Sequence, residues 1–592
     1  MTPTPPPLET QPATIALIGM GPRGVSTLER LIASSDESTP LHIHVIDPWQ
    51  IGAGELWRTD QTDLMCMNTL AHAVTLYTEP GATIAGPIRP GPTMYEWAVG
   101  VRTGVLSADL PPHLEEETHR TRPESHPSRA LYGAYIRWVY EHIPRPTHVT
   151  LVEHHATATR ITADGDADFI ELSDGTTVRA HATVYAPGWV QPQHTPPAGM
   201  TGRWIAPGNP IDQPVDTIAA GEDVLLRGLG MGFFDAVTLL TQGRGGRHDA
   251  ERYHPSGAEP RIRATSRRGY PFYPKSEYES LPPRPQLTRL QRALAAHADE
   301  TTVDFRVAIA PAVLRDAYEA YYRTLGRVHP ERLALPLEEI LTRIDATAPE
   351  ELPTRLADAT VDATDVWDHR AEFNPLAGAP DTPDEFHRFL LHRLRRDAAD
   401  SAQGALSPRK AALWTLSASR KLVSVFGEQG RYTADSLPAF ADFMAFGQMV
   451  GSGPPAFRTR ELIRLVEAGI VTFIHPEQAA HAAATADVVL DAFLPNPDLR
   501  TTGDPLMRQL RDTGRLQPFA PHGVATASPA VDPTTRLVAG DARLHLLGIP
   551  THAQFADMSI SPMPGTDPTM LRETDAAARS ALAIALQAAH GG

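Results

Sequence analysis

Ile15-Ala16-Leu17-Ile18-Gly19-Met20-Gly21-Pro22-Arg23-Gly24 is the stretch whose reading decides the fold. An aliphatic run enters a G-x-G-x-x-G turn and a helical pattern through Leu28 and Leu31 leaves it, so the glycines stand in a strand-to-helix context. The first two glycines permit a tight turn and let the backbone approach a pyrophosphate, whose charge falls on the free N–H groups of the helix start. Downstream, Leu41 to Ile46 alternates as a second strand and ends in Asp47, roughly twenty residues on, where a carboxylate binds an adenosine ribose hydroxyl. Gly19, Gly21, Gly24 and Asp47 therefore predict an FAD site.

A second turn of the same kind lies further along. Val224-Leu225-Leu226 runs into Gly228-Leu229-Gly230-Met231-Gly232 and then into the apolar run Phe233 to Leu240. Its following strand, Arg261 to Thr265, ends in Ser266-Arg267-Arg268 with no acid, which suits the extra phosphate of NADPH. Phe233 occupies the place of the third small residue, and a shifted register with Gly232 in that role would compensate. Between the turns, Thr183-Val184-Tyr185-Ala186-Pro187-Gly188 reads as a strand running into a turn. Two such turns in one chain predict a bound flavin dinucleotide and a visiting nicotinamide dinucleotide.

At 592 residues the chain is too long for one core. A net charge of −17 argues against a nucleic-acid partner, because affinity for phosphate needs clustered cations. No apolar run is long enough to span a bilayer, and Met1 to Pro12 has neither the basic start nor the apolar core of a signal peptide. The expectation is a cytoplasmic protein with a disordered tail over residues 1–12. Cys66 is the only cysteine, which excludes a dithiol relay from flavin to a thiol substrate and argues against structural zinc. It reads as a small buried filler, and no metal is expected.

The organisation reads as α/β, two Rossmann-like dinucleotide-binding domains with a helical insertion. Residues 13–205 completed by 485–592 form the FAD domain, residues 206–285 completed by about 450–484 the NADPH domain, and residues 286–449 a helical substrate domain. Helical periodicity marks Leu287 to His297, Val313 to Tyr322 and Asp384 to Arg396. Val471 to Ile474, Asp487 to Phe493 and Leu544 to Leu547 read as buried parallel strands. Asp567 to Ala589 reads as an amphipathic helix capped by Asp567 or Thr566, and Gly565 before it is a candidate for the flavin.

Lysine occurs only at 275, 410 and 421. Eleven residues are close to three helical turns, so Arg409 with Arg420, and Lys410 with Lys421, would stack on one helix face. Such a cationic stripe could hold substrate carboxylates or NADPH phosphates, and equally could be a solvated or salt-bridged face. Arg58 and Arg129 are further carboxylate-binding candidates.

Several segments together resemble one family. Gly52-Ala53-Gly54-Glu55-Leu56-Trp57-Arg58-Thr59 with Met67-Asn68-Thr69, Ser128-Arg129-Ala130-Leu131-Tyr132-Gly133-Ala134-Tyr135, Gly228-Leu229-Gly230-Met231 with Asp235, and Ser266-Arg267-Arg268-Gly269 look like the bacterial FAD/NAD(P)-binding family that includes the nitrosuccinate-forming L-aspartate N-monooxygenases. The resemblance implies an FAD- and NADPH-dependent monooxygenase in which a C4a-hydroperoxyflavin oxygenates the amine of a small amino acid such as L-aspartate. It also implies that Trp57, Met67 and Asn68 lie near the flavin. The partners would be a small-molecule substrate and O₂. The residues alone leave open an NADPH-dependent flavin reductase or dehydrogenase without oxygen transfer, and a non-catalytic FAD-binding scaffold. Neither the oligomeric state nor a catalytic residue is indicated.

Overall fold

A computed structural model describes residues 12–591. The described residues form two compact units, residues 12–193 with 496–591 and residues 194–495. The expected tail at residues 1–12 lies, but for Pro12, outside the described residues.

The first unit opens with β1 (Ala13–Ile18), α1 (Pro22–Ser34) and β2 (Leu41–Ile46). The helix α2 (Arg129–Glu141) and β3 (Val149–His154) follow. A three-stranded antiparallel meander of β4 (Ala158–Asp164), β5 (Ala167–Leu172) and β6 (Thr177–Ala180) then leads into β7 (Ala182–Tyr185). β1 is buried at every position and pairs in parallel with β2, Ile15 opposite Ile43 and Leu17 opposite Val45. Burial on both faces explains why it reads as a continuous apolar run rather than an alternating one.

The chain then builds the second unit from β8 (Arg203–Ile205), β9 (Asp223–Arg227), α3 (Met231–Leu240) and β10 (Arg261–Thr265). Its helical part includes α4 (Ala310–Val328), α5 (Pro383–Ala402), α6 (Pro408–Phe426) and α7 (Leu437–Gly451). The strands β11 (Val471–Phe473) and β12 (Val488–Asp491) complete a five-stranded sheet of order β11-β10-β9-β12-β8. Returning to the first unit, the chain adds β13 (Leu544–Leu546), which closes the order β13-β7-β1-β2-β3, and the final helix α8 (Thr569–Gly591). The buried alanines 577, 578, 581 and 585 have little side chain to hold α8 away from α1 and β1.

Both sheets and the helical insertion agree with the sequence reading of fold class. The proposed partition does not. β12 pairs with β9 in the second sheet and β8 pairs with β12 at its edge, so residues 194–205 and 485–495 belong with the second turn rather than the first. The helices of residues 286–449 share one apolar core with the second sheet, where Phe233, Val471 and Leu490 join Tyr318, Leu413 and Phe446. The last helix begins at Thr569, two residues later than read, because Asp567 stands at φ +47°, outside the helical region, with its carboxylate on the N–H and hydroxyl of Thr83.

Candidate functional site

The two glycine turns have nearly the same backbone. Gly19 and Gly228 follow their strands at φ +93° and +112°, a region open to glycine and strained for other residues. Gly21 and Gly230 then stand at the helix N-caps with φ/ψ of −76°/−162° and −90°/−158°. Each turn is also tied to its neighbouring strand in the same way, Gly19 N–H to Ile46 O and Gly228 N–H to Thr265 O, both at 2.9 Å. A parallel strand crosses close over each first glycine. A Cβ at Gly19 would lie 2.2 Å from Ala186 O, and one at Gly228 would lie 2.8 Å from Ala492 O.

The turns differ in what lies above the second glycine. A Cβ built on Gly21 meets nothing nearer than Ala53 O at 3.9 Å, so this face is open to an incoming pyrophosphate. At Gly230 the Phe272 ring lies 3.2 Å from the corresponding point. The third position differs too. Gly24 lies where a Cβ would strike Gly19 O at 2.1 Å, whereas Phe233 turns fully into the core and Gly232 takes the close approach, 2.9 Å from Ala492 O.

Around the first turn the structure joins Gly19, Gly21, Gly24 and Asp47. Asp47 Oδ2 accepts from Met20 N–H at 2.6 Å and Oδ1 from Trp49 N–H at 2.8 Å. Burial pushes its carboxyl up and these two amides pull it down, the burial effect being larger. Each oxygen carries a second lone pair, so the carboxylate that orders the turn can also accept a ribose hydroxyl. Sequence reasoning did not find Glu573. Its carboxylate pairs with Arg23 Nε at 2.9 Å and accepts from Gly548 N–H at 2.9 Å, fixing the first turn of α1. No local signal marks it, since it lies 550 residues from Arg23.

A second cluster in this unit collects the residues singled out after β2. Trp57 packs edge-on against Tyr132, ring centres 4.6 Å apart. Met67 is buried and its N–H donates to Pro127 O at 2.7 Å, while Arg129 N–H donates to Met65 O at 2.8 Å. Asn68 accepts from the Thr69 hydroxyl, and Arg58 pairs with Asp60 at 3.5 Å with its guanidinium over the Trp49 ring. Cys66 is buried. Gly565 lies in a separate loop, its N–H on Glu79 Oε2 at 2.6 Å.

At the second turn, Ser266 Oγ accepts from Gly269 N–H at 3.1 Å. Arg267 is exposed and Arg268 half-buried, and neither makes a hydrogen bond or ion pair among the described residues. Burial pushes the Arg268 guanidinium below its ordinary range, Arg267 adds to that and Asp442 opposes it. A half-buried cation in this state is a ready partner for phosphate.

On α6, of the readings open for the cationic stripe, Arg409 takes the salt-bridged one. Helical spacing holds, but Arg409 and Lys410 face the interior. Arg409 is 5% exposed and forks onto Glu372 at 2.6 and 2.8 Å, with Asp397 and Asp400 on its other nitrogen. Lys410 is 3% exposed and its Nζ donates to Pro274 O at 2.6 Å. Both cations thus have partners within the protein. Arg420 and Lys421 are half-buried, and Arg420 Nε donates to Ser417 O at 3.1 Å.

Two parallel sheets, each bearing a strand–glycine turn–helix unit, define a two-dinucleotide flavoprotein oxidoreductase. The FAD-NAD(P)-binding family pattern matches residues 16–190. Over 98% of both chains the protein is 31% identical to an L-aspartate N-monooxygenase (nitrosuccinate-forming) of Streptomyces davaonensis. It is 32% identical to the nitrosuccinic acid synthase of Aspergillus oryzae over 98% of this chain and 94% of that one, and likewise 32% identical to the Streptomyces cremeus L-aspartate N-monooxygenase over 97% and 96%. The chain belongs to this family of flavin-dependent monooxygenases, and its cofactors are FAD and NADPH. No described helix is long and apolar enough to cross a membrane.

Proposed function

We propose that the protein oxidises the amine nitrogen of L-aspartate at the expense of NADPH and O₂. The observation that carries this reading is near-full-length similarity to relatives named for that reaction. The bound flavin supplies the electron relay from NADPH and the activation of oxygen. The chain's own groups bind and orient. The open face at Gly21 and the α1 N-terminus receive the FAD pyrophosphate, Asp47 receives a ribose hydroxyl, and Arg267 with Arg268 receive the 2′-phosphate of NADPH. No side-chain base is needed if the amine arrives neutral, so the rate rises with pH near neutrality. A cytoplasmic location would supply both NADPH and the amino acid.

Each turn of NADPH and O₂ delivers one oxygen atom, and an amine reaches a nitro group by a six-electron oxidation with loss of one water. Full conversion to nitrosuccinate therefore consumes about three NADPH per product. The test is substrate-stimulated NADPH oxidation with L-aspartate, with nitrosuccinate and hydrogen peroxide both quantified. Coupled nitro product near that ratio supports the reading. NADPH consumption that aspartate does not stimulate, with all oxygen leaving as peroxide, would leave an NADPH oxidase and defeat it.

A further inference from the structure

Of the eight tryptophans only Trp49 is exposed. It is anchored on the carboxylate that orders the first glycine turn, since Trp49 N–H donates to Asp47 Oδ1 while Met20 N–H donates to Oδ2. The loop that follows is closed at its feet. Gln50 Oε1 accepts from Thr59 N–H and Gln50 Nε2 donates to the Thr59 hydroxyl, both at 2.9 Å. Trp49 and Arg58, each one residue before a member of that closing pair, are thereby brought side by side, and the Arg58 guanidinium lies over the indole 4.7 Å from the ring centre. The tip of the loop reaches back to the turn. Gly52 N–H donates to Met20 O at 2.9 Å, and a Cβ on Gly54 would fall 3.1 Å from Gly21 Cα and 4.0 Å from Asp47 Oδ2.

One short loop therefore touches both the glycine turn and the ribose carboxylate. A side chain at Gly54 would press on Gly21, so glycine at both positions keeps the turn clear for the FAD pyrophosphate. Trp49 stays 44% exposed although a guanidinium covers one face of its ring, so the opposite face is open. A single exposed apolar side chain needs no ligand to explain it. Trp49 differs in being held at both ends, by its amide on Asp47 and by a cation that is itself mostly buried and lies 3.5 Å from Asp60. A guanidinium grips the electron-rich face of an indole, and a face fixed in this way loses little freedom when a second ring stacks on its other side.

We propose that the open face of Trp49, backed by Arg58, is the platform on which the adenine ring of FAD stacks. The inference rests on the reading that places the FAD pyrophosphate at Gly21 and its ribose at Asp47. In adenosine the base is joined to the carbon next to the one bearing the 2′-hydroxyl, so a ribose held on Asp47 brings the adenine within reach of the side chain two residues on. An aromatic face suits it, because base stacking needs only the π-surface of the ring and no particular donor or acceptor. Arg58, which the sequence offers as a carboxylate binder, becomes by this assignment a positioning residue for the cofactor.

The test uses the full-length protein stripped of FAD and needs no turnover. FAD is titrated in by its flavin fluorescence, and ADP, which carries the adenine half without the flavin, is measured by competition against FAD. In Trp49→Ala both half-saturating concentrations should rise about tenfold or more. Trp49→Phe should retain most of the affinity, and Arg58→Met should weaken both ligands in the same direction. Because the ring is exposed, stripped Trp49→Ala should melt like wild type, and once saturated with FAD it should show the wild-type flavin spectrum. Wild-type affinity for both ligands in Trp49→Ala would overturn the platform, as would a wild type for which millimolar ADP does not compete. Weakened FAD with unchanged ADP would move Trp49 to the flavin half and overturn it as well. Trp49→Phe as weak as Trp49→Ala would show a packing role in place of stacking, and unchanged binding in Arg58→Met would remove Arg58 from the platform. Failure of the pyrophosphate placement is seen separately, as full FAD occupancy in Gly21→Val.

Discussion

Gly19 and Gly21 are two residues apart in one turn, yet their substitution should fail in opposite ways. At Gly19, φ is +93° and an added Cβ falls 2.2 Å from Ala186 O and 2.9 Å from Ala186 C. Both are backbone atoms of a segment hydrogen-bonded to β1 through Ala186 N–H and Ile18 O at 2.8 Å, so they cannot withdraw without loosening the sheet. The unfavourable backbone costs about 1–2 kcal/mol and the overpacking about 1–3 kcal/mol, so Gly19→Ala should destabilise even the apoprotein by roughly 2–5 kcal/mol. At Gly21, by contrast, φ/ψ of −76°/−162° suits any residue and the added Cβ meets nothing closer than 3.9 Å. Gly21→Val should leave apoprotein stability within about 0.5 kcal/mol of wild type. Its side chain would still stand on the pyrophosphate path, and FAD occupancy should fall at least about tenfold. Flavin-to-protein absorbance ratios give occupancy, and melts must be run on stripped protein because bound FAD itself stabilises the fold. A yellow Gly21→Val protein with full FAD would refute the placement of the pyrophosphate, and a Gly19→Ala apoprotein melting like wild type would refute the steric reasoning.

Neutralising Arg267 and Arg268 together should cost NADPH use about tenfold or more, from contacts worth ~1.5–3 kcal/mol, with little change for NADH. Equal loss with both nucleotides, in initial-rate assays, would make these arginines structural. Phe272→Ala uncovers Gly230 and should lower the NADPH concentration needed for flavin reduction; an increase would show that the ring forms part of the binding wall. Arg409→Ala leaves Glu372 and Asp397 buried without their cation and should cost about 3–5 kcal/mol in denaturant melts, and a neutral result would contradict the ion-pair geometry. Burial holds the His545 imidazole down to about 4 between Thr183 O and the Ser580 hydroxyl. The unfolded chain takes up that proton near pH 6.5, so the stability gained is complete above pH 6.5 and is lost as pH falls toward 4. The slope is at most about 1.4 kcal/mol per pH unit, and His545→Gln should flatten it.

Local signals were legible and distant ones were not. Both turns could be read because strand, glycines and helix lie within twenty residues, and even the anomaly at Phe233 resolved as the shifted register with Gly232. The partition at residues 205 and 485 failed because β8 and β12 are buried parallel strands whose apolar runs look the same in either sheet. Their membership is set by pairing across more than 260 residues. The start of the last helix was read two residues early for a similar reason, since Asp567 is held at φ +47° with a bond to Thr83, 484 residues away. On α6 the period was right and the sequence left two readings of the face open, of which Arg409 takes the salt-bridged one. Periodicity shows that Arg409 and Lys410 share a side of a helix, but only the acids at 372, 397 and 400 reveal that this side is interior.

That distinction separates the cations of the second unit by function. Acids outnumber bases in this chain by 70 to 53, so carboxylates are plentiful. Arg263 of β10 has Asp223, Arg227 of β9 has Asp491, and Arg409 has three partners. Arg268 lies five residues beyond Arg263 and is half-buried, yet it forms no ion pair among the described residues, and only Asp442 acts on it from a distance. A desolvated cation whose one acid is distant is a standing cost to the folded state, which a closer acid would relieve. Arg268 follows the strand next to the second glycine turn, where an anionic ligand is expected. The cost is offset when a ligand brings its own charge, so binding energy at Arg268 comes partly from relief of the empty protein's imbalance. It follows that introducing a carboxylate beside Arg268 should stabilise the free protein while weakening its ligand.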